Sequence, residues 1–159
     1  MKKTYNIILQ SVIGTGASVS NKSYFYDWSQ IPNVPYYVTF TYNSSITALA
    51  SSNVALIFLV IGQPYNMIAS DQLGLITAYR SDFLGSLYHT PSGSSATNAY
   101  LSANLTSNPP IYLDARPKNN NFNVQILAGF DLAYPNVLAN YTLTLCFEEC
   151  NENIISSII

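Results

Sequence analysis

Apolar and polar residues alternate along most of this chain. Tyr5, Ile7 and Leu9 share one parity near the start, with polar Asn6 and Gln10 on the other. A period of two marks a half-buried strand. After a turn-like GTGASVSNKS, SYFYDW (23–28) predicts a second strand. In 37–42, Val38, Phe40 and Tyr42 face one way, and Tyr37, Thr39 and Thr41 the other. VALIFLVI (54–61) is apolar throughout, the pattern of a strand covered on both faces. A covering loop or another subunit would supply the second face.

Further strands are predicted at GLITAYR (74–80), AYLSANLT (99–106) and IYLD (111–114). YNMIASDQL (65–73) could carry a helical turn. FNVQILA (122–128) places Phe122, Val124, Ile126 and Ala128 on one face. YTLTLCFEE (141–149) turns Tyr141, Leu143, Leu145 and Phe147 inward, and Thr142, Thr144, Cys146 and Glu148 outward. No segment sustains a 3.6-residue period. Eight or nine short strands separated by turns predict an all-β sandwich or barrel. Uneven loops favour a single eight-stranded jelly roll with little or no helix. At 159 residues the chain is read as one domain, 1–159, with 146–159 a candidate C-terminal docking arm.

Composition sharpens this reading. Only 9% of residues are charged, against about 25% in an average soluble domain. There are 13 Tyr and 7 Phe. Polarity comes from hydroxyls and amides. The formal net charge is −2, with six Lys plus Arg and no basic patch. Direct nucleic-acid binding needs such a patch, so none is expected. The longest apolar run falls short of the roughly 20 residues of a spanning helix. Lys2 and Lys3 ahead of an apolar stretch loosely mimic a secretory leader. Asn6, Gln10 and Ser11 break that stretch, and strand patterning is the better reading. A charge-poor, tyrosine-rich exterior suits a surface buried against other subunits.

Candidate chemistry is sparse. Asp82, Ser86 and His89 are close in sequence and look superficially like a triad, with His89 placed in a loop. Ser86 lacks a nucleophile-elbow motif. The other carboxylates are scattered. One histidine and two cysteines do not make a zinc site, so neither catalysis, metal nor cofactor is expected. Cys146 and Cys150 read as free thiols. The sequons at Asn21, Asn43, Asn104 and Asn140 are read as products of composition. Trp28 has two readings: a sugar-stacking platform, or a core tryptophan whose indole N–H meets a carbonyl. Arg80 and Arg116 are expected to pair with Asp82 and Asp114.

Pro109 and Pro110 enforce an extended start to IYLD. Pro117 with Asn119, Asn120 and Asn121 makes a corner before the next strand.

Three stretches, YDWSQIPNVPYYVTFTY, NPPIYLDARPKNNNFNVQIL and NYTLTLCFEE, resemble the small single jelly-roll capsid proteins of large and giant double-stranded DNA viruses. The resemblance spans residues 24 to 149 through short motifs. Its residues are Asp27, Trp28, Pro109, Pro110, Tyr112, Arg116 and Pro117. It implies a jelly roll, no catalysis and a place in the virion capsid. It also implies a homo-oligomer beside the major capsid protein and other shell proteins. A bare domain of this length resembles the five-fold penton more than other minor capsid proteins, which favours a pentamer. The alternative is a lectin-like receptor-binding head on a spike or fibre, a trimer, with Trp28 binding glycan.

Overall fold

The computed structural model describes residues 2–46, 53–62, 65, 82–89, 99–103, 109–128 and 138–150. Among them are ten strands and one short 3-10 turn. In order these are β1 (Thr4–Gln10), β2 (Thr15–Ser18), β3 (Asn21–Phe25), the 3-10 turn (Trp28–Gln30), β4 (Tyr36–Ile46) and β5 (Asn53–Val60). Then come β6 (Phe83–His89), β7 (Ala99–Ala103), β8 (Ile111–Leu113), β9 (Asn121–Ala128) and β10 (Leu138–Glu149).

The strands form two antiparallel five-stranded sheets that make a sandwich. One runs β1-β10-β4-β7, with β8 also paired to β4. The other runs β2-β3-β9-β5-β6. Alternation builds both. In β4, Tyr36, Val38, Phe40 and Tyr42 are buried, and in β10 so are Tyr141, Leu143, Leu145 and Phe147. Phe122, Val124 and Ile126 of β9 meet them from the opposite sheet, in one core. The centre of β5 is buried on both faces. Ile57 and Leu59 join the core, while Phe58, on the other face, is also buried and packs 5.6 Å from Phe83. That second face is covered within the chain itself.

Two contacts join the sheets through the core. The hydroxyls of Tyr24 on β3 and Tyr141 on β10 lie 2.8 Å apart. The Trp28 indole packs 5.4 Å from Phe122 of one sheet and 5.4 Å from Phe147 of the other.

Several expectations are corrected. The turn-like stretch before Asn21 contains β2, hairpinned onto β3. Gly16 makes this possible: its φ is +126°, and a Cβ there would stand 2.8 Å from the Asn21 carbonyl oxygen. The second predicted strand stops at Phe25. Asp27 and Trp28 leave it, because the Asp27 carboxylate accepts from Ser29 N and caps a 3-10 turn. β10 runs to Glu149, so residues 146–149 belong to the sheet and an arm could begin only after them. The expected strand at 74–80, most of the expected helical turn at 65–73, Asn104 and the tail from 151 lie outside the described residues. Among the described residues there are ten strands beside the expected eight or nine: β2 is a hairpin limb, and β7 and β8 pair with different stretches of β4.

Candidate functional site: a motif corner and a charge-poor sheet face

The motif residues from two distant stretches come together. Trp28 N donates to the Asn120 side-chain oxygen at 3.2 Å. Trp28 Nε1 donates to the Asn119 carbonyl at 2.9 Å. Tyr26 N donates to the Asn120 carbonyl at 2.9 Å. In the reverse direction, Arg116 Nη1 donates to the Ile31 carbonyl at 2.6 Å. The two segments therefore clasp each other, each supplying donors to the other's backbone. Asp27 stands beside this clasp. Its hydrogen bonds from Ser29, then from Gln30, hold its carboxyl below the usual range, with the Arg116 charge adding to them. Pro117 is buried under the corner, while Pro109 and Pro110 are exposed ahead of β8.

This geometry decides the Trp28 alternatives. Its side chain is 1% exposed, and Tyr26, Phe122 and Phe147 surround the indole. No ring face is open for a sugar. Arg116 also departs from expectation: its partner is the Ile31 carbonyl, and the one ion pair between described residues joins Lys2 and Glu148 at 2.8 Å. Arg80 lies outside the described residues. Asp82, Ser86 and His89 are strung along β6 and the residue before it, so His89 is on a strand end and not in a loop. Strand geometry holds Ser86 and His89 about 10 Å apart. Cys146 and Cys150 are not joined by a disulfide. No three His, Cys, Asp or Glu side chains cluster among the described residues, and no described helix is long and apolar enough to cross a membrane.

The outer face of the β1-β10-β4 sheet is the other distinctive feature. Strand register sets it out in rows. Thr4, Glu148, Tyr37 and Tyr112 form the first; Asn6, Cys146 and Thr39 the second. Ile8, Thr144 and Thr41 follow, then Gln10, Thr142 and Asn43. Glu148 is the sole charged residue in these rows, and Lys2 pairs with it. Ile8 is 58% exposed, at a position where alternation leads to solvent. Tyr37 and Tyr112 are half-exposed and meet edge to face, 5.7 Å between centroids. Val12, Ile13 and Phe25 add exposed apolar side chains at the ends of the sandwich.

Sequence reasoning missed Ile8 as a surface feature, although its place on the polar parity of β1 was the available signal. It also missed the roles of Asn119 and Asn120 as acceptors for Trp28.

Fold and surface together define an antiparallel two-sheet β-sandwich with a charge-poor, tyrosine-bearing face. No protein-family model matches the chain, and no curated protein matches its sequence.

Proposed function

We propose that this chain is a structural capsid subunit, a single jelly roll that assembles as a pentamer at the five-fold vertex of a large double-stranded DNA virus. The observation that carries the reading is the charge-poor outer face of the β1-β10-β4 sheet, where Glu148, paired with Lys2, is the sole charged residue in the rows. Placing such a face against a neighbour removes few charges from water, so the cost of burying charge is small, while its hydroxyls and amides can be satisfied by hydrogen bonds across the contact. Tyrosine is among the side chains enriched at such contacts.

The pairing order supports the jelly roll. Counting β2–β3 as one limb and β7–β8 as another gives eight. The first pairs with the last (β1 with β10), the second with the seventh (β3 with β9), the third with the sixth (β4 with β7 and β8), and the fourth with the fifth (β5 with β6). That nesting is the signature of a long hairpin rolled into two sheets. The clasp between YDWSQIP and LDARPKNNN gives the resembling motifs a shared structural purpose: they close one corner of the roll. A cyclic ring uses two different patches on each copy.

Native mass measurement over a range of concentrations tests the reading. A closed five-copy ring is the expected species, and labelling in particles should find it at vertices. A chain that stays single at high concentration and is missing from the shell overturns it. A trimer with glycan affinity would point instead to the receptor-binding head.

A further inference from the structure

The described strands leave the sandwich four edges, and three of them are blunted. β2 is four residues long, with a register shift between Thr15 and Ser18. β6 pairs β5 through a register shift. The β7–β8 edge is split into two short strands, with Pro109 and Pro110 ahead of the second. β1 differs. Its seven residues pair β10 without a shift, and it carries neither proline nor bulge. Glu149 N donates to the Lys3 carbonyl and Ser11 N donates to the Tyr141 carbonyl, each at 3.0 Å. In an antiparallel ladder such pairs recur at every second residue. The odd positions of β1 thus bond β10, and the N–H and C=O groups of Thr4, Asn6 and Ile8 point to the open edge. An unblunted edge of this kind is a template for another strand.

We infer that the edge of β1 accepts residues 151–159 of a neighbouring copy as an added antiparallel strand, a contact that links one subunit to the next. The inference rests on the proposed ring of copies. Three observations select this occupant. The segment NENIISSII has four isoleucines, a residue type that favours strands; by sequence parity an extended strand would put Ile154 and Ile158 on one face and Ile155 and Ile159 on the other. β1 offers an apolar neighbour on each face: buried Ile7 and Leu9 inside, exposed Ile8 outside. The third observation is the place from which residue 151 must start: Glu149 bonds Lys3 on one side and Cys150 bonds Pro35 on the other, so the chain is held beside the beginning of β1 up to residue 150.

Reach excludes the same antiparallel pairing within one copy. Nine extended residues span about 30 Å. An antiparallel strand on the copy's own β1 must run in the direction of β10. The tail would first have to return along β1, about 23 Å, and then pair over about 17 Å. In a neighbour, about 13 Å remains for crossing after a five-residue strand. A contact of tail to edge is heterologous, and so able to close a ring.

Amide hydrogen exchange and native mass, measured together on the full chain, test this. The Asn6 and Ile8 amides should be protected at least tenfold in the assembled fraction and open in dilute single chains. A chain ending at Cys150 should keep its circular dichroism, lose that protection and stay single. Asn6→Pro in the full chain removes an outward donor while leaving the β10 ladder whole, and should likewise abolish assembly. If Asn6→Pro misfolds, adding the synthetic 151–159 peptide to the chain ending at Cys150 gives the same reading through Asn6 and Ile8 protection. Equal assembly with and without residues 151–159 overturns the arm but leaves the ring intact. Protection that persists in single chains places the tail in cis and overturns the inference. A full chain that never assembles defeats ring and arm together.

Discussion

The indole of Trp28 and the backbone carbonyl of Asn119, 91 residues apart in sequence, meet at 2.9 Å. The contact fixes the tryptophan between the two sheets and ties the β3–β4 turn to the corner before β9. Removing it combines a cavity with an unsatisfied carbonyl. Trp28→Ala should cost about 3–5 kcal/mol of stability, read from urea unfolding. Arg116→Ala leaves the Ile31 carbonyl without its partner and should cost about 1–2 kcal/mol. A Trp28→Ala chain with unchanged stability would show that the indole is not the keystone described.

The Tyr24–Tyr141 hydroxyl pair gives a second test. Tyr141→Phe strands the buried Tyr24 hydroxyl and should cost about 1–3 kcal/mol, whereas replacing both tyrosines by Phe should recover most of that loss. A double-mutant cycle measures the coupling. Additive single losses would mean that the two hydroxyls act independently.

Alkaline pH should unfold the protein through its tyrosines. Burial pushes Tyr36 up to about 12, and burial also raises Tyr24, Tyr42 and Tyr141. An unfolded phenol ionises near 10. The folded groups hold their protons when the unfolded ones release them, so this contribution is whole below pH 10. It is lost as pH climbs from 10 through 12, by about 1.4 kcal/mol per pH unit for each phenol still protonated only in the fold. Phenolate absorbance should therefore rise late and together with loss of tertiary structure. Gradual titration of all tyrosines in a folded chain would contradict it.

The charge-poor sheet face is tested by adding a charge or removing an aromatic ring. Thr41→Lys, or Tyr112→Ala at the aromatic pair, should change the stability of the single chain by no more than about 0.5 kcal/mol for an exposed position. Either should weaken assembly by tenfold or more, read by native mass. Assembly untouched by both would move the interface elsewhere.

Much of the sandwich was legible in the alternation of single strands. Val38-Phe40-Tyr42, Phe122-Val124-Ile126 and Tyr141 to Phe147 each point their apolar set inward as the period of two predicts. Other features were hidden because backbone geometry produces them. Trp28 continues an aromatic run and reads as strand, yet the Asp27 cap turns the chain one residue earlier. Arg116 has a carboxylate two positions away, but it reaches a main-chain carbonyl 85 residues distant, and a carbonyl has no signature in sequence. Ser18 and Thr15 look like turn residues, and only pairing with β3 makes β2 a strand.

The position of β10 has a consequence for biosynthesis. It is the last described strand, and it lies between β1, the first, and β4, with Thr4 opposite Glu148. While the ribosome is still making this chain, one sheet has its flanks and lacks its middle. Contacts so distant in sequence form slowly. The sandwich thus closes only after the end of β10 has emerged from the ribosome, and until then Ile7, Leu9, Val38 and Phe40 wait without their cover. A nascent chain stalled before Leu138 should be protease-sensitive throughout β1 and β4, and release of the full chain should switch that sensitivity off in a single late step.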